Sequence, residues 1–115
     1  MVNKITMNLL ILLAIPCILY GRSFNVMDFG ARGNGISDDA IAIQKAVDAC
    51  TNAGGGDVVF SANHVFLSGP VQLKSNVNIV LETNSVWKAN PDESIYHLSA
   101  FGKNEGEGMM WIWAK

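Results

Sequence analysis

From Phe24 onward the spacing of apolar positions changes twice along the chain. Phe24, Val26, Met27 and Phe29 surround Asn25 and Asp28, an imperfect alternation. It predicts a first strand over Phe24–Phe29 that is bulged or buried on both faces. Gly30, Gly33 and Gly35 then mark a loop, because closely spaced glycines signal backbone shapes that other residues avoid. Next, Ile43, Val47 and Cys50 recur at i, i+4 and i+7, flanked by Ala42, Ala46 and Ala49. Gln44, Lys45 and Asp48 fall on the opposite side, so a helix is expected from about Asp38 to Ala53. Ser37 or Asp38 can cap it, Asp38 and Asp39 suit the positive end of its dipole, and Gly54 is placed to end it.

Beyond Gly54-Gly55-Gly56 the pattern is strand-like throughout. Val58-Val59-Phe60 and Val65-Phe66-Leu67 are short apolar runs, the second stopped by Ser68-Gly69-Pro70. Val71 and Leu73 alternate around Gln72; Val77, Ile79 and Leu81 alternate around Asn78 and Val80. An offset of about twenty residues links Val58–Phe60 with Val77–Leu81, and Phe66-Leu67 with Val86-Trp87, as in a coil that returns above itself. One strand, one helix, then strands only is explained by a stack of parallel strands whose first open end the helix plugs. A β-sandwich of antiparallel hairpins gives similar short runs but leaves the leading helix without a role. Past Trp87, Asn90–Ser94 reads as a turn, and Gly102, Gly106 and Gly108 punctuate a polar stretch. Met109–Trp113 then reads as an apolar strand with no partner to cover it.

Length permits at most one domain, at 115 residues. Half the residues are apolar, partly because Met7–Tyr20 is an uncharged apolar segment preceded by Lys4 and followed by Gly21 and Ser23. That layout matches a secretory signal over residues 1–21, with a secreted or periplasmic mature chain. Leu9–Tyr20 is shorter than the ~20 residues of a span, and Pro16 interrupts it, so a membrane anchor is disfavoured. Lipidation at Cys17 is disfavoured too, because Pro16 stands where a small residue is expected. The formal net charge is −2, with no basic run, which argues against nucleic acid. Cys50 would be the single cysteine of the mature chain, so it forms no internal disulfide and reads as a buried, inert thiol.

Candidate chemistry is sparse. Asp38-Asp39 resembles a glycosidase carboxylate pair, but adjacent helix residues point ~100° apart and a first-turn location accounts for both. Gly33-Asn34-Gly35 precedes a helix, yet lacks the fuller dinucleotide or P-loop pattern and any P-loop lysine. His64 and His97 stand alone and suit loop or packing roles. Glu105 and Glu107 read as a solvated loop. Trp87, Trp111 and Trp113 could stack on sugars, although strand-like context favours burial for two of them.

Phe24–Cys50 (FNVMDFGARGNGISDDAIAIQKAVDAC), Gly54–Phe60 (GGGDVVF) and Phe66–Glu82 (FLSGPVQLKSNVNIVLE) resemble the N-terminal part of the polygalacturonases of glycoside hydrolase family 28, within the pectate-lyase-like superfamily. Phe101–Ile112 (FGKNEGEGMMWI) is similar to a stretch of bacterial members. Strand, glycine turn, Asp-Asp helix and triple glycine also open phage tailspikes, rhamnogalacturonan-active enzymes and some epimerases. Leu67–Pro70 and Leu73–Asn76 favour the hydrolase. The resemblance implies a mainly β chain: a right-handed parallel β-helix, incomplete over residues 22–115, with a capping α-helix.

It also implies inverting hydrolysis of α-linked galacturonan, without metal or organic cofactor, on a polygalacturonan or rhamnogalacturonan partner. An inverting site needs ~6.5–9.5 Å between acid and base. The family's Asn-Thr-Asp, Asp-Asp, Gly-His-Gly and Arg-Ile-Lys motifs do not follow Gly106-Glu107-Gly108. No catalytic, cofactor-binding or metal-ligating residue is therefore assigned, and the chain alone is expected to be inactive, marginally folded and prone to aggregate through strand edges. A non-catalytic sugar-binding module and a lyase or epimerase of the same superfamily are the alternatives. Ser61 and Asn63 replace a usual proline and glycine, Thr83-Asn84-Ser85 replaces a common Gly-Ala turn, and Asn34 stands where Asp is frequent; these put local turn geometry in question.

Overall fold

The computed structural model describes residues 22–96 and 111–114. The segment read as a secretory signal, Cys17, His97, Glu105 and Glu107 lie outside the described residues.

Eight short strands and one α-helix make up the described chain. The strands are β1 (Ser23–Asn25), β2 (Asn34–Asp38), β3 (Gly56–Phe60), β4 (Val65–Ser68), β5 (Val71–Leu73), β6 (Val77–Leu81), β7 (Val86–Ala89) and β8 (Ile112–Ala114). The helix α1 (Ala40–Asn52) lies between β2 and β3. They form three sheets, ordered β1-β3-β6, β2-β4-β7 and β5-β8, and every one of these pairings is parallel. From β3 onward the chain therefore visits the three sheets in rotation, and the antiparallel hairpins of a sandwich do not occur among the described strands.

Register confirms the offset visible in the sequence. Val58 lies beside Ile79, and Phe66 beside Trp87. Side-chain bonds repeat the same interval: Asn78 Nδ2 donates to Asp57 Oδ1 and Asn84 Nδ2 to Asn63 Oδ1, each across 21 residues. Stacking like on like puts Val26, Val58, Phe60, Phe66 and Val71, all without solvent exposure, into one core. Asn63 and Asn84 turn the chain at φ 62° and 58°. Asparagine is among the few side chains that visit this left-handed region, so the turns are made without the usual glycine.

Helix α1 packs on that core. Its Ile43, Val47 and Cys50 are fully buried, and the small Ala42 and Ala46 let it pack against β1, β3, β5 and β6. Burying the Ile and Val side chains is worth about 1.5–3 kcal/mol each. The helix stops as expected at the glycines. Gly54, at φ 96°, donates its N–H to the Thr51 carbonyl, and Gly55 to that of Cys50, a Schellman arrangement.

Gln44, expected on the solvent side, instead faces β5. Its Oε1 accepts from the Gln72 N–H at 2.8 Å and its Nε2 donates to the Gln72 carbonyl at 3.0 Å. One side-chain amide thus pairs with β5 as a neighbouring strand would. Nε2 also donates to Asp48 Oδ1, which lies 2.7 Å from the Lys74 ammonium. Burial acts to raise the Asp48 pKa, but hydrogen bonds from Lys74 and Gln44, with the Lys74 charge, outweigh it and hold the carboxyl below its usual value. Gln44→Ala leaves a backbone donor and acceptor of β5 unmet, so a loss of about 1–3 kcal/mol is expected in urea unfolding. Gln44→Glu retains the acceptor but turns a carboxylate oxygen toward the Gln72 carbonyl and Asp48, so it should also be less stable than the parent.

Other expectations need correcting. The first strand ends at Asn25, because Asn25 Oδ1 accepts from the Met27 N–H and the chain turns into a short 3-10 segment, Val26–Phe29. The glycine loop gives way to β2 at Asn34, and α1 begins at Ala40 with Asp39 as its N-terminal flanking residue. Finally, the apolar C-terminal strand does have a partner: β8 runs beside β5, Val71 opposite Ile112.

Candidate functional site

A polar cluster gathers where β2, β4 and β7 end. Register sets Asp38 beside Leu67 and Ser68 beside Ala89, so the three strand ends stack in one corner. The exposed Asp38 spans all three levels. Its Oδ1 accepts from the Ala40 N–H at 2.8 Å, while its Oδ2 accepts from the Gly69 N–H at 2.9 Å and from Asn90 Nδ2 at 2.8 Å. Asp39 is buried and turns the other way. Its two carboxylate oxygens accept from the Arg32 and Gly33 N–H groups at 2.9 and 3.0 Å, tying the glycine loop to the start of α1.

The aspartate pair therefore holds backbone in place, and by a different route from the helix-dipole role read from the sequence. Each carboxylate holds backbone N–H groups of the loop and the strand ends, and neither lies in the first turn of α1.

Behind Asp38 lies a second polar centre, Ser68, which is fully buried. Its Oγ donates to the Gly69 carbonyl and accepts from the Trp87 indole N–H at 2.7 Å. Trp111 donates its own indole N–H to the Ser68 carbonyl at 2.9 Å, and its ring meets Trp87 edge-on at 5.3 Å. Trp87 also stacks on Phe60 at 4.8 Å. Trp87 and Trp111 are thus engaged with the protein, and their half-buried rings brace the corner. Tyr96 closes it from outside, donating its hydroxyl to the Asn90 carbonyl at 2.7 Å. Burial raises the Tyr96 pKa, with Asp38 and Asp92 adding to it against the Asn90 bond, so the phenol stays neutral.

Two further candidates among the described residues, His64 and Cys50, are also held within the fold. His64 is half-buried over Phe66 and bonds the Ala62 carbonyl through Nδ1 at 2.7 Å, which makes Nδ1 the donor. Burial, then the nearby Asp57, raises the Cys50 thiol, which disfavours the nucleophilic thiolate. Among the described residues, no group of three or more His, Cys, Asp or Glu is placed to hold a metal ion. No helix among them is long and apolar enough to cross a membrane. Sequence reasoning missed Gln44, Ser68, Asn90 and Tyr96, whose roles arise only when distant strand ends meet; the motif Leu67-Ser68-Gly69-Pro70 was the nearest signal.

Comparison with known proteins agrees with this layout. A family profile described as rhamnogalacturonase A/epimerase, pectate lyase-like, matches residues 23–107. Mannuronan C5-epimerase AlgE2 of Azotobacter vinelandii is 48% identical over 64 residues, covering 50% of this chain and 6% of the epimerase. A solved structure from Parabacteroides merdae, described as a candidate glycosyl hydrolase, aligns with TM-score 0.66 and 31% identity over 81% of this chain and 37% of that one. The hyperthermoactive exopolygalacturonase of Thermotoga maritima aligns with TM-score 0.59 and 33% identity over 70% of this chain and 19% of the enzyme. The chain therefore spans well under half the length of each of these relatives.

Proposed function

Since the chain belongs to the rhamnogalacturonase A/epimerase, pectate lyase-like family, we propose that it forms the opening coils of an exported enzyme that acts on an acidic polysaccharide. Its three parallel sheets close into a right-handed parallel β-helix, and α1 caps the first coil. Within that enzyme these residues start and seal the coil. The groups that meet the sugar lie on further coils, since the candidate acids, bases and thiol among the described residues, Asp38, Asp39, His64 and Cys50, are bonded or buried within the fold.

The substrate class is a polyuronate, and an epimerase or lyase is favoured over a hydrolase. The observation that carries this is the 48% identity to a mannuronan C5-epimerase over 64 residues. Epimerisation and lyase cleavage share the removal of the proton at C5, next to the sugar carboxylate, so one scaffold suits both. Polygalacturonase-type hydrolysis is the second reading, favoured by the 33% identity to the exopolygalacturonase.

The test uses this chain and, separately, the protein read through its downstream coding sequence. The 115-residue chain alone is expected to turn over neither polymannuronate nor polygalacturonate. The longer protein should convert polymannuronate residues to their C5 epimers, read by proton NMR, or release unsaturated ends, read by ultraviolet absorbance. Saturated reducing ends from polygalacturonate would establish the hydrolase instead. Turnover of neither polymer by the longer protein would overturn the substrate class.

A further inference from the structure

Gly33-Asn34-Gly35, singled out in the sequence, carries a chemistry of its own beyond its place in the fold. Asn34 is exposed at the first position of β2, and the residue after it is glycine, whose amide nitrogen no side chain shields. The Asn34 side chain folds back on its own backbone. Its Oδ1 accepts from the Ile36 N–H at 3.0 Å and from the Ser37 N–H at 2.9 Å. Two donors on one amide oxygen draw electrons from Cγ and make it a better electrophile. Gly35 has φ 69°, a conformation that glycine adopts at no steric cost.

We propose that Asn34 is a site of self-modification, in which the folded chain converts its side-chain amide to a carboxylate. The Gly35 backbone nitrogen attacks Asn34 Cγ. The new N–Cγ bond forms as the Cγ–Nδ2 bond breaks, and the Gly35 proton leaves with Nδ2 as ammonia. Solvent water then opens the five-membered imide. Opening at Cγ returns a normal aspartate at position 34, and opening at the main-chain carbonyl gives an isoaspartyl link. The aspartate suits the site, because the Ile36 and Ser37 N–H groups already point at its oxygen and bind a charged acceptor more strongly. The isoaspartyl link adds a methylene to the backbone and shifts β2 against β4, where Asn34 lies opposite Val65.

Asn90 is an internal control, since Pro91 supplies no N–H for the attack. Asn63, Asn76 and Asn84 are further controls, each followed by a residue with a side chain that hinders it. The experiment ages the folded chain at mildly alkaline pH and follows each asparagine by peptide mass spectrometry, with isoaspartyl methyltransferase labelling. Conversion at Asn34 ahead of every other asparagine is the expected result, with isoaspartate among the products. An intact Asn34 when another asparagine has converted overturns the proposal, as does an intact Asn34 in the folded chain when the unfolded chain has converted it. Gly35→Ala is a poor probe, because its Cβ would press on Val65 at 3.2 Å. Asn34→Gln and Asn34→Asp serve instead. The first should lose the conversion in its β2 peptide, and the second should melt no lower than the parent; a lower melting point for Asn34→Asp overturns the claim that the fold accommodates the product.

Discussion

Gly56→Ala is expected to cost about 4 kcal/mol or more, most or all of the stability of a domain this small. Gly56 opens β3 at φ 147°, where a Cβ would run into the Arg22 carbonyl oxygen. That oxygen cannot withdraw freely, because it accepts the Asp57 N–H at 2.8 Å, the bond that starts the pairing of β1 with β3. The Gly56 N–H is itself committed to the Asn76 carbonyl, which ties the same point to the coil above. Alanine must therefore break the ladder on one side or the other. Gly54→Ala is the matched comparison. Gly54 also has a left-handed φ, 96°, but a Cβ there meets nothing within 4 Å. It should lose only the conformational cost, about 1–2 kcal/mol. Equal losses in the two variants, read from urea midpoints followed by circular dichroism, would show that the close approach to Arg22 does not matter.

The parts of the fold that a reader of the sequence can recover are those whose side chains report their own environment. Ile43, Val47 and Cys50 are apolar because they face the core, so their spacing gives the helix. Val58 and Ile79, or Phe66 and Trp87, are apolar because they stack, so their repeat gives the coil interval. Strand β2 is illegible for the converse reason. Its Ile36 is 83% exposed, while Gly35 and Ser37 occupy the alternate, half-buried positions, so the alternation runs backwards. The pairing of β8 with β5 is hidden by the distance along the chain between Leu73 and Ile112, which the short interval of the other coils does not anticipate.

Polar groups mislead most. Gln44 and Ser68 look like surface residues, yet one completes the edge of β5 and the other anchors two indoles inside. A polar side chain says that it needs a partner, not where that partner is. The corner at Asp38 depends on the same fact. The carboxylate was visible, but two of its donors come from Gly69 and Asn90, just past the ends of two later strands.

Phe60→Ala should cost about 3–5 kcal/mol, the usual price of emptying a ring-sized site in a packed core. Phe60 has no exposed surface. Its ring meets Phe66 edge-on at 5.2 Å and stacks against Trp87 at 4.8 Å, so it joins the sheet of β3 to that of β4 and β7. Collapse into the cavity is hindered, because Trp87 is pinned by its bond to Ser68 and by Trp111 on its far side. The surrounding groups cannot close in without breaking a buried hydrogen bond, which places this variant in the upper part of that range. Phe60→Leu keeps most of the apolar volume and loses chiefly the ring contacts, about 1 kcal/mol. The near-ultraviolet dichroism of the tryptophans distinguishes the two effects, since Trp87 senses the loss of its stacking partner in both variants but gains room to move only in the alanine. An alanine variant within about 1 kcal/mol of the parent would mean that the two sheets are not held together through this ring, and that α1 alone closes the core.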